Sequence, residues 1–167
     1  QFKLEGEITR RRPEFEIDDR MLLHHIDLKR GVVHIDGKDY TLKDTNWPTL
    51  DPKDPYRLSI EEEDLIRKIL HSFESSEKMK KHMRCFFRHG GMYQVCNSNL
   101  LFHASIPMNP DGTFKSVRIL GQNYKGRALL DRVDQLIRTA YFKTGEQEEV
   151  EYAHDYIWYL WGGKDSP

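Results

Sequence analysis

The chain has 167 residues, 38% hydrophobic and 32% charged, which is enough for one domain with a core and favours a well-solvated, helix-rich protein. Its 26 Lys and Arg residues balance 27 Asp and Glu residues, so it lacks the basic excess typical of nucleic-acid binders. No apolar run approaches the roughly 20 residues that span a bilayer. Two cysteines, Cys85 and Cys96, are too few for a disulfide framework and suit a reducing compartment. We therefore expect a cytoplasmic protein that binds neither nucleic acid nor membrane.

The two ends of the sequence indicate a piece of a longer protein. It opens at Gln1 with a stretch that is typical of the tail of a helix, and it stops at Pro167 in a stretch typical of a loop. The alternative is a complete small protein with a trimmed N-terminus.

The first element predicted along the chain is a short helix that ends before Pro13, because proline disfavours the helical conformation in the residue that precedes it. Asp18 and Asp19 are expected to cap a second short helix through His25. Both elements are short, so the first part of the chain is predicted to be broken up.

A β-hairpin is predicted next, over residues 31–42. Two short apolar runs flank Asp36 and Gly37, and an Asp-Gly pair between such runs is the strongest local signal for a tight hairpin. Residues 43–58 contain three prolines and several aspartates, and they predict an extended loop.

Two amphipathic helices follow the loop. Ser59 and Glu62 form a capping-box pattern at the start of the first helix. Gly90 and Gly91 stop the second helix, which begins at Ser75 or Ser76. The first helix has an apolar stripe at helical spacing, made of Leu65, Ile66, Ile69, Leu70 and Phe73. The second is expected to turn Met79, Met83, Phe86 and Phe87 inward.

The second half of the chain predicts another hairpin and two further helices. Two apolar strands flank residues 97–99, and the second strand ends at His103. A long helix from about Gly126 to Phe142 has one apolar face, and Gly145 breaks it. The last helix carries Val150, Ala153, Tyr156, Ile157, Trp158, Leu160 and Trp161.

His103 is the candidate functional residue of this sequence. A strand fixes its own end, and the small residues Ala104 and Ser105 that follow let a ligand come close, as a metal ligand or catalytic base requires. An ordinary structural histidine at a strand end fits the same pattern. His24 and His25 are adjacent and therefore point to different faces of a helix, so they are not expected to bind one ion.

The segment around His103 resembles one segment of the calcineurin-like metallophosphoesterases. Residues 101–107 read Leu-Phe-His-Ala-Ser-Ile-Pro, and in the phospho-Ser/Thr phosphatases the similar segment is an apolar strand followed by His-Gly-Gly-Leu-Ser-Pro. Here Ala104 and Ser105 replace the two glycines, and the proline comes one position earlier. The resemblance implies that His103 binds a metal ion.

A wider resemblance covers essentially the whole chain, in order. The sequence is similar to the middle of bacterial class III fructose-1,6-bisphosphatases, which are long, manganese-dependent members of the same superfamily. The segments that carry this similarity are residues 2–6, 44–49, 100–113, 124–129, 137–142 and 155–161. The superfamily's Gly-Asp-x-His-Gly, Gly-Asp-x-x-Asp-Arg-Gly and Gly-Asn-His-Asp motifs do not occur in this sequence.

The resemblance implies an α+β fold, predominantly helical with two short β-hairpins, excised from an αβ-sandwich metallophosphoesterase. Residues 1–90 are expected to be a helical and hairpin insertion that serves oligomer contacts or regulation, which allows a homo-oligomer. Residues 91–167 are expected to be a partial core.

The parent enzyme is expected to hydrolyse the 1-phosphate of fructose 1,6-bisphosphate in gluconeogenesis, with Mn²⁺ as cofactor and a sugar bisphosphate as substrate. His103 is predicted as a metal ligand, and no catalytic or other cofactor-binding residue is identified. The isolated chain is expected to be inactive.

Two other interpretations are compatible with the sequence. One is a non-enzymatic helical interaction module, in which exposed Trp158, Tyr159 and Trp161 form a partner surface. The other is a fragment of a protein phosphatase, because the strand that ends at His103 is common to both kinds of enzyme. A Gly-Asp-x-His-Gly motif upstream in the parent would favour the enzyme over the module.

Overall fold

The computed structural model describes residues 2–102 and 105–167; Gln1, His103 and Ala104 lie outside the described residues. The chain divides into two compact units, Gln1–Ser76 and Glu77–Pro167. The sequence-based division falls later, between residues 1–90 and 91–167. The helix that precedes residue 90 thus packs with the second unit, while the assignment of one part as an insertion and the other as a partial core stays a prediction.

The first unit opens with short helical turns. A 3₁₀ turn over Phe2–Leu4 leads into α1, Glu5–Arg11, which ends before Pro13 as predicted. Further 3₁₀ turns cover Pro13–Phe15, Asp18–Arg20 and Leu22–His25. The predicted aspartate cap is wrong: Asp18 and Asp19 lie inside a 3₁₀ turn, the cap position is Ile17, and no side chain caps the turn. A capping side chain must precede the first helical residue, and these two come one position late.

A three-stranded antiparallel sheet follows, in the order β1-β2-β3, with β1 at Ile26–Asp27, β2 at Val32–Ile35 and β3 at Lys38–Thr41. The β2–β3 hairpin confirms the Asp-Gly prediction. Asp36 and Gly37 have φ values of 49° and 76°, and two positive φ angles give the type I′ turn that matches the twist of a hairpin. Strand β1 was not predicted, because two residues are too short to show an alternating pattern.

Helix α2, Ile60–Ser75, confirms the predicted capping box. The Glu62 backbone N–H donates to Ser59 Oγ at 3.2 Å, and the Ser59 backbone N–H donates to the Glu62 carboxylate at 2.7 Å. The apolar stripe is on the helix as predicted, but α2 contains no buried residue.

The core of the first unit lies under α1 and the 3₁₀ turns, where Ile8, Phe15, Ile17 and Leu23 are buried. Gly6 of α1 lies against Tyr56, and a Cβ atom at Gly6 would lie 2.6 Å from the Tyr56 Cβ atom. Tyr56 in turn accepts a hydrogen bond from the Leu23 backbone N–H at 3.1 Å. Glycine is therefore the residue that lets α1 approach the loop.

Within its described residues, the second unit runs from one helix through two hairpins to two further helices. Its helices are α3 at Glu77–His89, α4 at Gly126–Phe142 and α5 at Gln147–Gly162, and its strands are β4 at Tyr93–Cys96, β5 at Asn99–Phe102, β6 at Val117–Ile119 and β7 at Gln122–Tyr124.

 Within the described residues these elements amount to three helices and two antiparallel hairpins, β4–β5 and β6–β7. The predicted α+β class is therefore confirmed.

The structure adds one hairpin to the two that the sequence predicts. In β6–β7 the turn residues Leu120 and Gly121 both have positive φ, 47° and 81°. Leucine rarely adopts this conformation, so a Leu-Gly pair gives no turn signal. The strands are also only three residues long, which leaves too little alternation to detect.

Helices α4 and α5 form the core of the second unit. The apolar face predicted for α4 is confirmed, since Leu129, Val133 and Leu136 are fully buried, and Ala153 and Tyr156 of α5 are buried with them. No helix within residues 2–102 and 105–167 combines the length and apolar character that a membrane crossing requires.

Helix α3 packs by one edge of its apolar face. Phe87 is buried and its ring lies 4.3 Å from that of Tyr141, centroid to centroid. Met79 and Phe86, which were predicted to point inward, are exposed. They lie at the other edge of the apolar face, where the Phe86 ring meets the Phe87 ring edge-on at 5.8 Å between centroids but stays 62% exposed.

Candidate functional site

The β4–β5 hairpin presents the strand that ends immediately before His103. Tyr93 pairs with Phe102, and Val95 pairs with Leu100. Asn97 and Ser98 in the turn have φ values of 50° and 62°, as a type I′ turn requires. The tight turn fixes the register, because a slip of one residue would turn every side chain to the opposite face.

His103 itself lies outside the described residues, as does Ala104. Its predicted role as a metal ligand therefore stays a prediction. Within residues 2–102 and 105–167, no group of three or more His, Cys, Asp or Glu side chains is placed to hold a metal ion.

A hydrogen bond joins α4 to Tyr93, the residue of β4 that pairs with the last residue of β5. The Tyr93 hydroxyl donates to the Asp131 carboxylate at 2.9 Å, and the Arg127 guanidinium lies 5.8 Å from the centre of the Tyr93 ring. Because Tyr93 is the cross-strand neighbour of Phe102, this hydrogen bond also restrains the last residue of β5.

The described segment that begins at Ser105 is joined by a hydrogen bond to the segment that follows α5. Ser105 Oγ donates to the Ser166 carbonyl oxygen at 3.0 Å. Close by in the sequence, Lys115 forms an ion pair of 2.6 Å with Asp165. The described residues on both sides of positions 103 and 104 are therefore held by α4 and by the segment after α5.

Arg138 of α4 holds the end of α3 and the start of the segment that leads into β4. Its guanidinium donates to the Asp134 carboxylate at 2.7 Å, to the Gly90 carbonyl oxygen at 2.9 Å and to the Phe87 carbonyl oxygen. The hydrogen bond to Asp134 raises the pKa of Arg138, so the cation is kept. A cation at the carboxyl end of a helix also interacts favourably with the helix dipole. Sequence reasoning missed Arg138; the i,i+4 spacing of Asp134 and Arg138 was the signal that could have found it.

A cavity of about 470 Å³ opens beside these residues. Phe102 and Ser105 line it, so it borders both described ends of the segment around His103. Asp134 and Arg138 are its charged side chains, and the rest of the lining is mainly apolar: Phe86, Phe87, Met92, Leu130, Ile137, Leu160 and Trp161. A concave site with a few polar groups in an apolar wall is the usual form of a ligand pocket.

The predicted aromatic partner surface is not formed as expected. Tyr159 is buried, with its ring centre 5.3 Å from that of Tyr156, and Trp158 is half-buried. Trp161 is 88% exposed. Two of the three aromatic side chains thus pack within the second unit, because α5 turns them towards its own neighbours.

His24, one of the two adjacent histidines in the sequence, packs in the first unit. Its ring lies 4.8 Å from that of Tyr56, centroid to centroid, in an edge-on arrangement. Cys85 and Cys96 are both free and exposed.

Comparison with known proteins decides the family. The model of a family described as Firmicute fructose-1,6-bisphosphatase matches residues 1–167, the whole chain. The chain belongs to this family. The resemblance inferred from the residues is therefore confirmed.

The class 3 fructose-1,6-bisphosphatases of three bacteria illustrate how close members of the family are. The chain is 98% identical to that of Parabacteroides distasonis and 62% identical to that of Bacteroides fragilis, each over 167 residues and all of this chain. It is 49% identical to that of Clostridioides difficile over 166 residues, or 99% of this chain. In each case the match covers 25% of the relative, so the chain spans about a quarter of the length of these curated relatives. No solved structure matches this fructose-1,6-bisphosphatase segment.

Proposed function

We propose that the full-length protein containing this chain hydrolyses the 1-phosphate of fructose 1,6-bisphosphate to give fructose 6-phosphate and phosphate. The observation that supports this is the family match over all 167 residues, together with relatives that are named fructose-1,6-bisphosphatase class 3. The proposal includes a gluconeogenic role in the cytoplasm.

The proposal also includes a Mn²⁺ centre, with His103 as one ligand through a ring nitrogen. Metal sites of this kind need three or more ligands per ion. The superfamily motifs that carry the other ligands do not occur in this sequence, so in this proposal those ligands come from polypeptide outside residues 1–167. When bound, a pair of such ions would polarise the phosphate and supply hydroxide at neutral pH.

The parent fold we propose is an αβ-sandwich in which the β4–β5 hairpin joins a larger sheet. Val95, Leu100 and Phe102 on one face of the hairpin are 63%, 46% and 45% exposed, and Leu101 on the other face is 54% exposed. The other residues on the face of Leu101 are Gln94, Cys96 and Asn99, so only one face of the hairpin is apolar throughout. Antiparallel strands commonly pack one such face on a core, and the exposure of this face supports its placement against further polypeptide of the parent.

The residues of this chain have a positioning role in the proposal. The hydrogen bond from Tyr93 to Asp131 restrains the end of β5, and the hydrogen bond from Ser105 to Ser166 restrains the chain after Ala104. A metal ligand has to be held within a fraction of an ångström, and supporting hydrogen bonds are the usual means.

The test is the full-length enzyme with His103→Ala, assayed on fructose 1,6-bisphosphate with Mn²⁺ and analysed for bound metal by mass spectrometry. Loss of a ligand is expected to lower both activity and bound Mn²⁺ by more than about 100-fold, the upper end for residues that only support a ligand. His89→Ala, an exposed histidine in the last turn of α3, is the matched control and should stay within about twofold. Unchanged metal content and activity in His103→Ala would remove the ligand assignment.

Two further measurements address the other interpretations. The full-length protein is assayed on a phosphoserine peptide beside fructose 1,6-bisphosphate, and faster hydrolysis of the peptide would favour a protein phosphatase. A full-length protein that hydrolyses neither substrate would favour the interaction module. The 167-residue chain alone is expected to be inactive, and a rate near that of the full-length enzyme would contradict this.

A further inference from the structure

Helix α2 has an apolar stripe that the first unit leaves uncovered. Leu65, Ile69 and Phe73 follow one another at intervals of four residues and therefore form one row along the helix. They are 56%, 45% and 56% exposed, and Leu70 beside them is 55% exposed. An amphipathic helix normally packs this face against another element, and a contiguous exposed apolar surface of this kind marks an interaction site.

One end of the stripe also forms part of the wall of an apolar cavity. At the amino end of α2, a cavity of about 380 Å³ has Leu65 and Ile66 in its wall. The other apolar side chains that line it come from the preceding segments: Leu4, Leu23, Trp47, Leu50 and Leu58. The cavity and the stripe together form a groove, which we call the α2 groove: the cavity followed by Leu65, Ile69, Leu70 and Phe73.

The edges of the α2 groove are acidic on balance. Helical geometry of 100° per residue places Glu63, Arg67 and Glu74 along one edge and Glu61 and Lys68 along the other. The charge of Lys68 is offset by Asp64, with which it forms an ion pair of 2.7 Å. An occupant that carries Lys or Arg along its own edges therefore fits the groove electrostatically.

The same charges argue against a second copy of α2 as the occupant. In an antiparallel pair of α2 helices, the edge with Glu63 and Glu74 would face its own counterpart, and like charges in that arrangement are destabilising. In a parallel pair, the acidic first turns, with Glu61 and Glu63, would lie side by side.

We propose that the α2 groove is a docking surface for polypeptide of the same full-length protein that lies outside residues 1–167. The length of the relatives supports this occupant, because about three quarters of each lies outside the part that this chain matches. The occupant is an amphipathic segment, apolar on the side that covers Ile69 and basic along its edges. The proposal goes beyond the phosphatase activity and does not depend on it.

Photo-crosslinking in the full-length protein tests the proposal. The photoreactive amino acid benzoylphenylalanine replaces Ile69, the protein is irradiated, and the crosslinked peptides are identified by mass spectrometry. The expected adducts are intramolecular and join position 69 to peptides outside residues 1–167. The matched control carries benzoylphenylalanine at His71, which lies on the side of the helix opposite the stripe and is exposed, and it should give none of these adducts.

Three outcomes would overturn the proposal: adducts of position 69 with residues 77–167 of the same chain, a covalent dimer, or no adduct at all. A second probe at Phe73 guards against a local effect of the first substitution, since both positions are about half exposed and tolerate change. Charge reversal tests the electrostatic part. Glu63→Lys with Glu74→Lys is expected to lower the yield of the adduct severalfold, and an unchanged yield would contradict a basic occupant.

Discussion

Glu62 joins three separate segments of the first unit, and its substitution should measure how much that junction stabilises the fold. The Glu62 carboxylate accepts hydrogen bonds from Lys3 Nζ, the Ser59 backbone N–H and Thr49 Oγ1, each at 2.7 Å. Lys3 also donates to the Thr49 carbonyl oxygen at 2.7 Å. Glu62→Gln keeps the size of the side chain and removes its charge.

The magnitude follows from the pKa of this carboxyl. Burial alone would raise the pKa, but the hydrogen bonds outweigh burial and lower it from 4.5 to about 2. At 1.36 kcal/mol per pKa unit, a shift of this size sets an upper limit of about 3 kcal/mol. The side chain is still 27% exposed, and solvent screening reduces the expected loss in Glu62→Gln to about 2 kcal/mol.

The sign of the pH dependence is fixed by the direction of the shift. The folded-state pKa of Glu62 lies below the unfolded value, so its contribution is complete above about pH 4.5 and is lost as the pH falls from there towards 2. The difference in unfolding free energy between the wild type and Glu62→Gln should therefore fall to about half or less at pH 3.

Urea unfolding followed by Trp47 fluorescence provides the assay. Trp47 lines the cavity next to Glu62, and Trp158→Phe with Trp161→Phe removes the other two tryptophans from the signal. Glu63→Gln, an exposed glutamate in the same helical turn, is the matched control and should change the unfolding free energy by less than about 0.5 kcal/mol. A Glu62→Gln effect as small as that of the control, or one that is equal at pH 7 and pH 3, would refute the reasoning.

Two substitutions test packing, one in each unit. Gly6→Ala would place a methyl group 2.6 Å from the Tyr56 Cβ atom and is expected to lower the free energy of unfolding by about 2 kcal/mol. Its control is Gly162→Ala, where the new methyl group has nothing within 4 Å, and this variant should change the free energy of unfolding by less than about 0.5 kcal/mol; equal melting temperatures for the two variants would contradict the reasoning. Arg138→Met removes the hydrogen bonds to the Phe87 and Gly90 carbonyl oxygens and is expected to cost about 2 kcal/mol, with faster amide hydrogen exchange in the last turn of α3. Exchange at the wild-type rate there would show that Arg138 does not hold the end of the helix.

Local signals in the sequence were sufficient wherever the chemistry of a few adjacent residues decides the structure. The Asp36-Gly37 turn, the Ser59–Glu62 capping box and the apolar face of α4 are all present as predicted. In each case the determining interaction lies within one turn or one helix face, so no distant partner is needed.

The sequence could not show what covers an apolar face. The stripe on α2 and the apolar face of α3 have similar patterns to that of α4, yet α4 is buried and the α2 stripe is exposed. Periodicity identifies the apolar side of a helix, while burial depends on elements that are distant in sequence. The family resemblance around His103 was likewise reachable from the residues, but the hydrogen bonds from Arg138 and Tyr93 to distant partners were not, because they span 38 residues or more.

The β4–β5 hairpin has a practical consequence for anyone who produces this region alone. Its strands, Tyr-Gln-Val-Cys and Asn-Leu-Leu-Phe, contain no charged residue, and within the described residues each strand pairs only with the other. Such uncharged, unpaired edges are templates for strand addition by a neighbouring molecule. A copy of this region released from its parent by proteolysis should therefore aggregate as its concentration rises, and oxidation at the exposed thiol of Cys96 would make the first aggregates covalent.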